Sequence, residues 1–241
     1  MEYDYVVHLD ADTYILNPID ELFEVPNRYS LQYTTDPNMA SHKGKNKMPV
    51  QGGFIVLKPS IEDYNNLIWI LLNTEFVQGG AWNRSKIGWF WGGMTVQGVL
   101  PYYYNEGGSG LTNLGRTKVL DRCYYNTMAD VPECIIQELY ELKSAHFTIC
   151  QKPWNCEKHY ANNLCKKLHL QWFETRKKAE EFYGVPVNPN PCPTGGRKWY
   201  RPMDFQGAKF PYSYATNFQE NEKVSFMPPL PGSGFDDGMY W

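Results

Sequence analysis

Apolar and polar positions follow two periods along this chain, and the change from one to the other marks out its elements. Tyr5-Val6-Val7 with Leu9 is a β-branched and aromatic run that reads as a buried strand. Asn17-Pro18 then starts a helical pattern, with acids following and Ile19, Leu22 and Phe23 on one face. A second short strand covers 29–34. Residues 35–50 are polar, carry Lys43, Lys45 and Lys47 around His42, and read as a loop with solvated charges. Gln51-Gly52-Gly53 leads into a continuous apolar strand over 54–57, where two glycines allow close approach of a ligand or of another chain segment. Ser60 caps a helix whose Tyr64, Leu67, Ile68, Leu71 and Leu72 recur at helical spacing.

The second half is more broken. Residues 77–93, rich in Gly and Trp, read as a loop, and 95–105 as a short helix kinked or stopped at Pro101. A glycine-rich connector at 107–115 precedes a strand over 118–125, a short helix over 132–142 and a strand over 144–149. A long helix is predicted over 157–183. It stacks Tyr160, Leu164, Leu168 and Trp172, with Phe173, Ala179 and Phe182 beside them, and leaves Lys166, Lys167, Arg176, Lys177 and Glu180 on its other faces. Gly184 and Pro186 end it. Residues 185–241 have many Pro, Gly and aromatic residues without a period and suit an extended arm. There is no internal repeat. The pattern predicts an α/β domain over 1–183 followed by a C-terminal arm over 184–241.

Composition narrows the function classes. A net charge of −3 and a pI of about 6.0 make no electrostatic case for nucleic acid. Aromatic residues make up 16% of the chain, and aromatic faces serve both cores and sugar platforms; most of these are expected in the core. Six cysteines without a C-x-x-C pair argue against a zinc finger or a thioredoxin-type motif. Their even number, with the sequon Asn83-Arg84-Ser85, permits a Golgi or secretory-lumen location and leaves a cytoplasmic one open.

The candidate chemistry sits where the first strand ends. Residues two apart in an extended chain share a side, so Asp10 and Asp12 can converge where the strand leaves the sheet. Open α/β sheets hold their ligands at such strand ends. Two convergent carboxylates repel unless a cation lies between them, and their hard oxygens favour Mn²⁺ or Mg²⁺. A D-x-D pair by itself reads equally as a strand-end turn in which Asp caps the following backbone.

Four segments together carry more. His8-Leu9-Asp10-Ala11-Asp12-Thr13 through Asn17-Pro18 resembles the D-x-D segment of glycosyltransferase family 8, the glycogenin-like retaining transferases. Gln51-Gly52-Gly53-Phe54 is similar to that family's amide–small–glycine strand opening, and Val96-Gln97-Gly98 to its D-Q-G segment. His146 through Lys152-Pro153-Trp154 matches its closing H-x5-K-P-W. All four occur in the family's order. The resemblance implies an incomplete GT-A (Rossmann-like) mixed sheet flanked by helices, a UDP-sugar donor, a hydroxyl acceptor on a glycan, protein or lipid, and hexose transfer with retention.

It also implies roles. Asp10, Asp12 and His146 would ligate Mn²⁺ or Mg²⁺, and Lys152 would place a charge on the donor phosphates. Gln51 would bond the sugar, with Ala11 and Gly52 on the donor-binding surface. Gln97 would lie beneath the anomeric carbon, its carbonyl facing an oxocarbenium-like centre. Taken singly, His146 also reads as a core histidine, Lys152 as a surface residue on a rigid turn, and Gln97 as a helix-capping partner. Three departures stand out. Val96 replaces the family's Asp, Ile149 replaces a glycine, and the family's first strand and uracil-clasping segment lie upstream of anything present, so the sequence is expected to be a piece of a longer protein. A catalytically inactive carbohydrate- or partner-binding module, using Trp82, Trp89, Phe90 and Trp91, is the alternative.

Overall fold

The computed structural model describes residues 3–24, 29–39, 49–90, 92–104, 116–193 and 195–205. The expected loop lysines Lys43, Lys45 and Lys47 with His42, the 107–115 connector, Trp91 and the arm beyond residue 205 lie outside them.

The architecture is mixed α/β, as expected. A mixed sheet has the order β1-β4-β3-β7, built from β1 (Val6–Leu9), β3 (Leu31–Thr35), β4 (Val50–Leu57) and β7 (Thr117–Val119). The β1–β4 and β4–β3 pairs are antiparallel, and β3–β7 is parallel. β4 is buried along nearly all its length because its two faces serve different cores. Ile55 packs with Leu31, Tyr33, Val99 and Tyr102 on one side, while Phe54 and Val56 pack with Leu22 and Leu120 on the other. A separate two-stranded ladder joins β2 (Thr13–Ile15) to β8 (Ser144–His146). It packs under α6 (Asn163–Tyr183), whose Leu164 and Leu168 meet Ala145 and Phe147.

Several elements depart from the sequence expectation. β1 lies at the sheet edge, so Val6 is 42% exposed and the strand is not buried. After Asp12 the chain first forms β2, since Thr13, Tyr14 and Ile15 find β8 as a ladder partner; helix α1 is confined to Glu21–Glu24. The expected loop 77–93 contains a small hairpin, β5 (Phe76–Val77) with β6 (Ala81–Trp82). The strand expected over 118–125 stops at Val119, because Asp121 accepts from the Cys123 N–H and caps helix α4 (Arg122–Tyr125). Helix α5 covers only Pro132–Ile135, and the strand expected to 149 ends at His146. α6 starts at Asn163, where the Asn162 side chain accepts from the Cys165 N–H. Trp82 is buried between Phe76 and Tyr102, so it is a core residue and no binding surface.

α6 also corrects the surface reading of its charges. Arg176 and Glu180 are both buried and paired, with Nε and Nη2 donating to Oε1 at 3.0 and 2.9 Å. The Asn188 N–H takes the other Glu180 oxygen, and Arg176 lies over the Tyr200 ring at 5.0 Å. The residues following α6 therefore dock on it. Phe182, by contrast, is exposed. No helix among the described residues is long and apolar enough to cross a membrane.

Two features of the fold carry predictions. Buried Asp63, on α2 (Ile61–Asn73), accepts from the Tyr103 and Tyr104 hydroxyls of α3 (Val96–Tyr104) at 2.8 and 3.0 Å. Burial, then the Asp63 charge and hydrogen bond, push the Tyr104 hydroxyl well above its ordinary pKa. Asp63→Ala removes the acceptor that both hydroxyls share, while Tyr103 keeps its bond from Asn66 Nδ2, and chemical denaturation is expected to show a loss of roughly 1–3 kcal/mol. Three disulfides join Cys123–Cys134, Cys150–Cys165 and Cys156–Cys192. The second spans 15 residues, so the Cys150→Ser/Cys165→Ser variant is expected to lose about 3 kcal/mol of stability in the same measurement.

Candidate metal centre

The strand-end turn and the β2–β8 ladder build the site. The Asp10 N–H donates to the Gly53 carbonyl at 3.3 Å as β1 ends, and the Thr13 hydroxyl donates to the same oxygen at 2.9 Å. The Asp12 carbonyl accepts from the Phe147 N–H at 3.0 Å. Because Thr13 pairs with His146 across the ladder, the imidazole is held beside the two carboxylates. His146 Nε2 lies 3.2 Å from Asp12 Oδ1 and 3.6 Å from Asp10 Oδ2. One donor atom from each of the three residues lies within 4.8 Å of the others. His146 is the buried wall of this cluster, and Asp10, its side chain 43% exposed, is the open side.

Lys152 closes the cluster from another direction. Its Nζ donates to Phe147 O at 2.9 Å and sits 2.7 Å from Asp12 Oδ2. Burial alone would push the Asp12 carboxyl up. The Lys152 hydrogen bond and the charges of His146 and Lys152 outweigh it and hold Asp12 below its ordinary pKa. With the folded-state pKa lowered, the stability from this pairing is present above the ordinary carboxylate pKa and is lost as pH falls through the lowered one.

Glycine makes the arrangement possible. A Cβ on Gly53 would stand 2.4 Å from His146 Nδ1 and 2.6 Å from Cε1, inside the imidazole's own volume. The same two-glycine opening joins the remaining predicted residues to the cluster. Gln97 Oε1 accepts from the Gly52 N–H at 2.9 Å, with its amide between Gly52 and Gly92. The buried Gln51 turns its carbonyl inward, where it accepts from the Gly53 N–H and from Asn126 Nδ2, the latter at 3.0 Å. Ala11 lies exposed on the turn between the two acids. Val96 is exposed at the start of α3.

All four segments singled out in the sequence therefore meet: Asp10, Asp12, His146 and Lys152 in one cluster, and Gln51, Gly52 and Gln97 in a second linked to it through Gly53. The sequence reading missed Thr13, Gly53 and Asn126 as positioning residues. The glycine pair announced a close approach without saying to what. Nothing local marks Asn126, whose amide bridges Gln51 and Thr34 from 75 and 92 residues away.

Two carboxylate oxygens with one imidazole nitrogen form a mostly hard donor set that fits Mn²⁺ or Mg²⁺. Nε2, the nitrogen that faces the acids, is the one available for ligation, while Nδ1 is buried against Gly53 without a hydrogen-bond partner among the described residues.

Comparison with known proteins adds a sequence relation. Over 107 residues the chain is 30% identical to glycogenin-1 of Mus musculus, and 30% identical over the same length to glycogenin-1 of Oryctolagus cuniculus. Over that stretch the chain is similar to glycogenin-1. The match covers 43% of it and 28% of either relative, so the glycogenin-like stretch spans under a third of the length of those curated proteins. No protein-family model matches the chain. Among solved structures, the chain overlaps a glycosyltransferase involved in glycosylation of the major capsid of PBCV-1, at a TM-score of 0.35 and 15% identity over 59% of each chain. It overlaps an active-site mutant of LgtC at 0.41 and 10%, over 73% of this chain and 62% of that one. Both scores are too low to carry a fold argument.

Proposed function

We propose that this chain contributes the metal-binding half of a retaining glycosyltransferase site, which moves a hexose from a UDP-sugar to a hydroxyl acceptor. The observation that carries the reading is the convergence of Asp10, Asp12 and His146 within 4.8 Å, with Lys152 on the same acid. The similarity to glycogenin-1 supports it.

In this reading Asp10, Asp12 and His146 would hold Mn²⁺ or Mg²⁺, which would supply Lewis-acid neutralisation of diphosphate charge. Lys152 swings from Asp12 to the diphosphate oxygens, exchanging one anionic partner for another. Ala11, at the exposed turn, leaves backbone open to the donor, whereas buried Gly52 has its N–H taken by Gln97 and would serve by letting the donor pack closely. The buried Gln51 has its carbonyl engaged, so its NH₂ is the end that would donate to the sugar. Gln97 is positioned by the Gly52 N–H; a carbonyl oxygen has a second lone pair, and that pair would face the anomeric carbon. The bond from that carbon to the diphosphate breaks as the bond to the acceptor oxygen forms, and the acceptor's proton leaves with the diphosphate.

The inactive-module reading draws on one observation: the carbonyls of Gln51 and Gln97 already accept protein N–H groups. Calorimetry with the metal-stripped chain separates the two. The transferase reading expects Mn²⁺ to bind and UDP to bind only after it. UDP binding indifferent to Mn²⁺, or no Mn²⁺ binding at all, would overturn it. Lys152→Met sharpens the test, because the lysine competes with a cation for Asp12. That variant is expected to bind free Mn²⁺ more tightly and UDP more weakly than the parent.

A further inference from the structure

Outside the candidate site, a modification signal and a redox signal point the same way. Asn83-Arg84-Ser85 follows directly on β6 in a turn, and it is the one N-x-S/T sequence in the chain. Asn83 and Arg84 are both exposed, with φ of 47° and 58°, a left-handed backbone that Asn adopts more readily than most residues. The turn is anchored rather than loose. The Asn83 N–H donates to Glu75 O at 2.8 Å, and Ser85 Oγ accepts from the Ile87 N–H at 3.1 Å. Just before it, buried Trp82 donates through Nε1 to Gly93 O at 2.8 Å. A bulky group on Asn83 would therefore stand in solvent without disturbing the packed residue beside it.

The second signal is independent. All six cysteines pair, leaving none free. Such pairing persists in oxidising compartments and is rare where thiols are kept reduced. The compartment in which those pairs form is also the one in which N-x-S sequences are glycosylated.

We infer that Asn83 is an N-glycosylation site and that this chain matures in the secretory lumen. The donor is a lipid-diphosphate-linked oligosaccharide. The Asn83 Nδ2 forms a bond to the anomeric carbon as the bond from that carbon to the diphosphate breaks. The lipid diphosphate departs with the electron pair, and an amide proton passes to a base of the transferring enzyme.

The full chain, fused behind a cleavable leader and translated with endoplasmic-reticulum microsomes, tests this. In the protease-protected fraction the chain is expected to migrate as a heavier species that peptide N-glycosidase collapses, converting Asn83 to Asp in the peptide mass spectrum. Asn83→Gln and Ser85→Ala should abolish the shift, and Ser85→Thr should keep it, which separates loss of the signal from loss of the fold. A protected chain that migrates unshifted, or a shift that survives in Asn83→Gln, overturns the inference. This outcome is independent of whether the chain transfers sugar.

Discussion

Asp12→Asn is expected to abolish Mn²⁺ binding while leaving the fold in place. Asp12 is the hub of the cluster: one oxygen lies 3.2 Å from His146 Nε2 and the other 2.7 Å from Lys152 Nζ. The amide keeps the shape and the backbone bond from Phe147 but offers no anionic oxygen. Replacing partners around metal ligands costs about 10–100-fold in affinity, so losing a ligand itself should cost at least ~100-fold, or roughly 2.7 kcal/mol. Titration of Mn²⁺ followed by the signal of the free ion measures this, and the melting temperature controls for the fold. Lys152 keeps Phe147 O as an acceptor, so the variant does not strand a buried ammonium. His8 provides the contrast. It lies 3.8 Å from Asp10 Oδ1 on the open side, and His8→Ala should leave Mn²⁺ binding unchanged. Equal Mn²⁺ affinity in Asp12→Asn and the parent would remove the metal role of the D-x-D pair.

Gly53→Ala is expected to damage the site from behind. The added methyl falls 2.4 Å from His146 Nδ1, 2.6 Å from Cε1 and 2.9 Å from Gln51 Oε1, so the ring has to move. The His146 backbone has little freedom to follow, since its amide N–H donates to Thr127 O and its strand pairs with β2. The displacement is therefore expected to cost about 1–3 kcal/mol of stability, as overpacked cores do, and to carry Nε2 away from the acids. Denaturant unfolding reads the first effect and Mn²⁺ titration the second. The paired control is Gly52→Ala, whose methyl would have the flexible Gln97 side chain as its nearest neighbour, at 3.3 Å. It should spare Mn²⁺ binding. If Gly53→Ala binds Mn²⁺ as the parent does, the close packing of glycine on imidazole has no part in ligand placement.

Sequence alone was sufficient for those parts of the molecule whose cause is local. Ser60 as a cap, the helix that follows it and the β-branched core of β4 have causes within a few residues, so they could be read directly, but the buried face of that helix could not: Tyr64, Ile68, Leu71 and Leu72 are exposed, and Asp63 and Ile70 are buried. The residues proposed for the site, in their order from Asp10 to Lys152, were named through the resemblance to glycosyltransferase family 8. Ladder partners, burial and close approach were decided elsewhere. That Thr13 faces His146, 133 positions on (146 minus 13), depends on strand register. That Gly53 leaves room for a ring, and that Asn126 holds Gln51, depends on segments brought together from far apart. Arg176 and Glu180 had the pattern of a solvated face, and only docking of the following segment buries them together. Periodicity and capping are short-range forces visible in a single stretch of chain. Register, close packing and ion pairing arise between stretches, and no stretch contains them by itself.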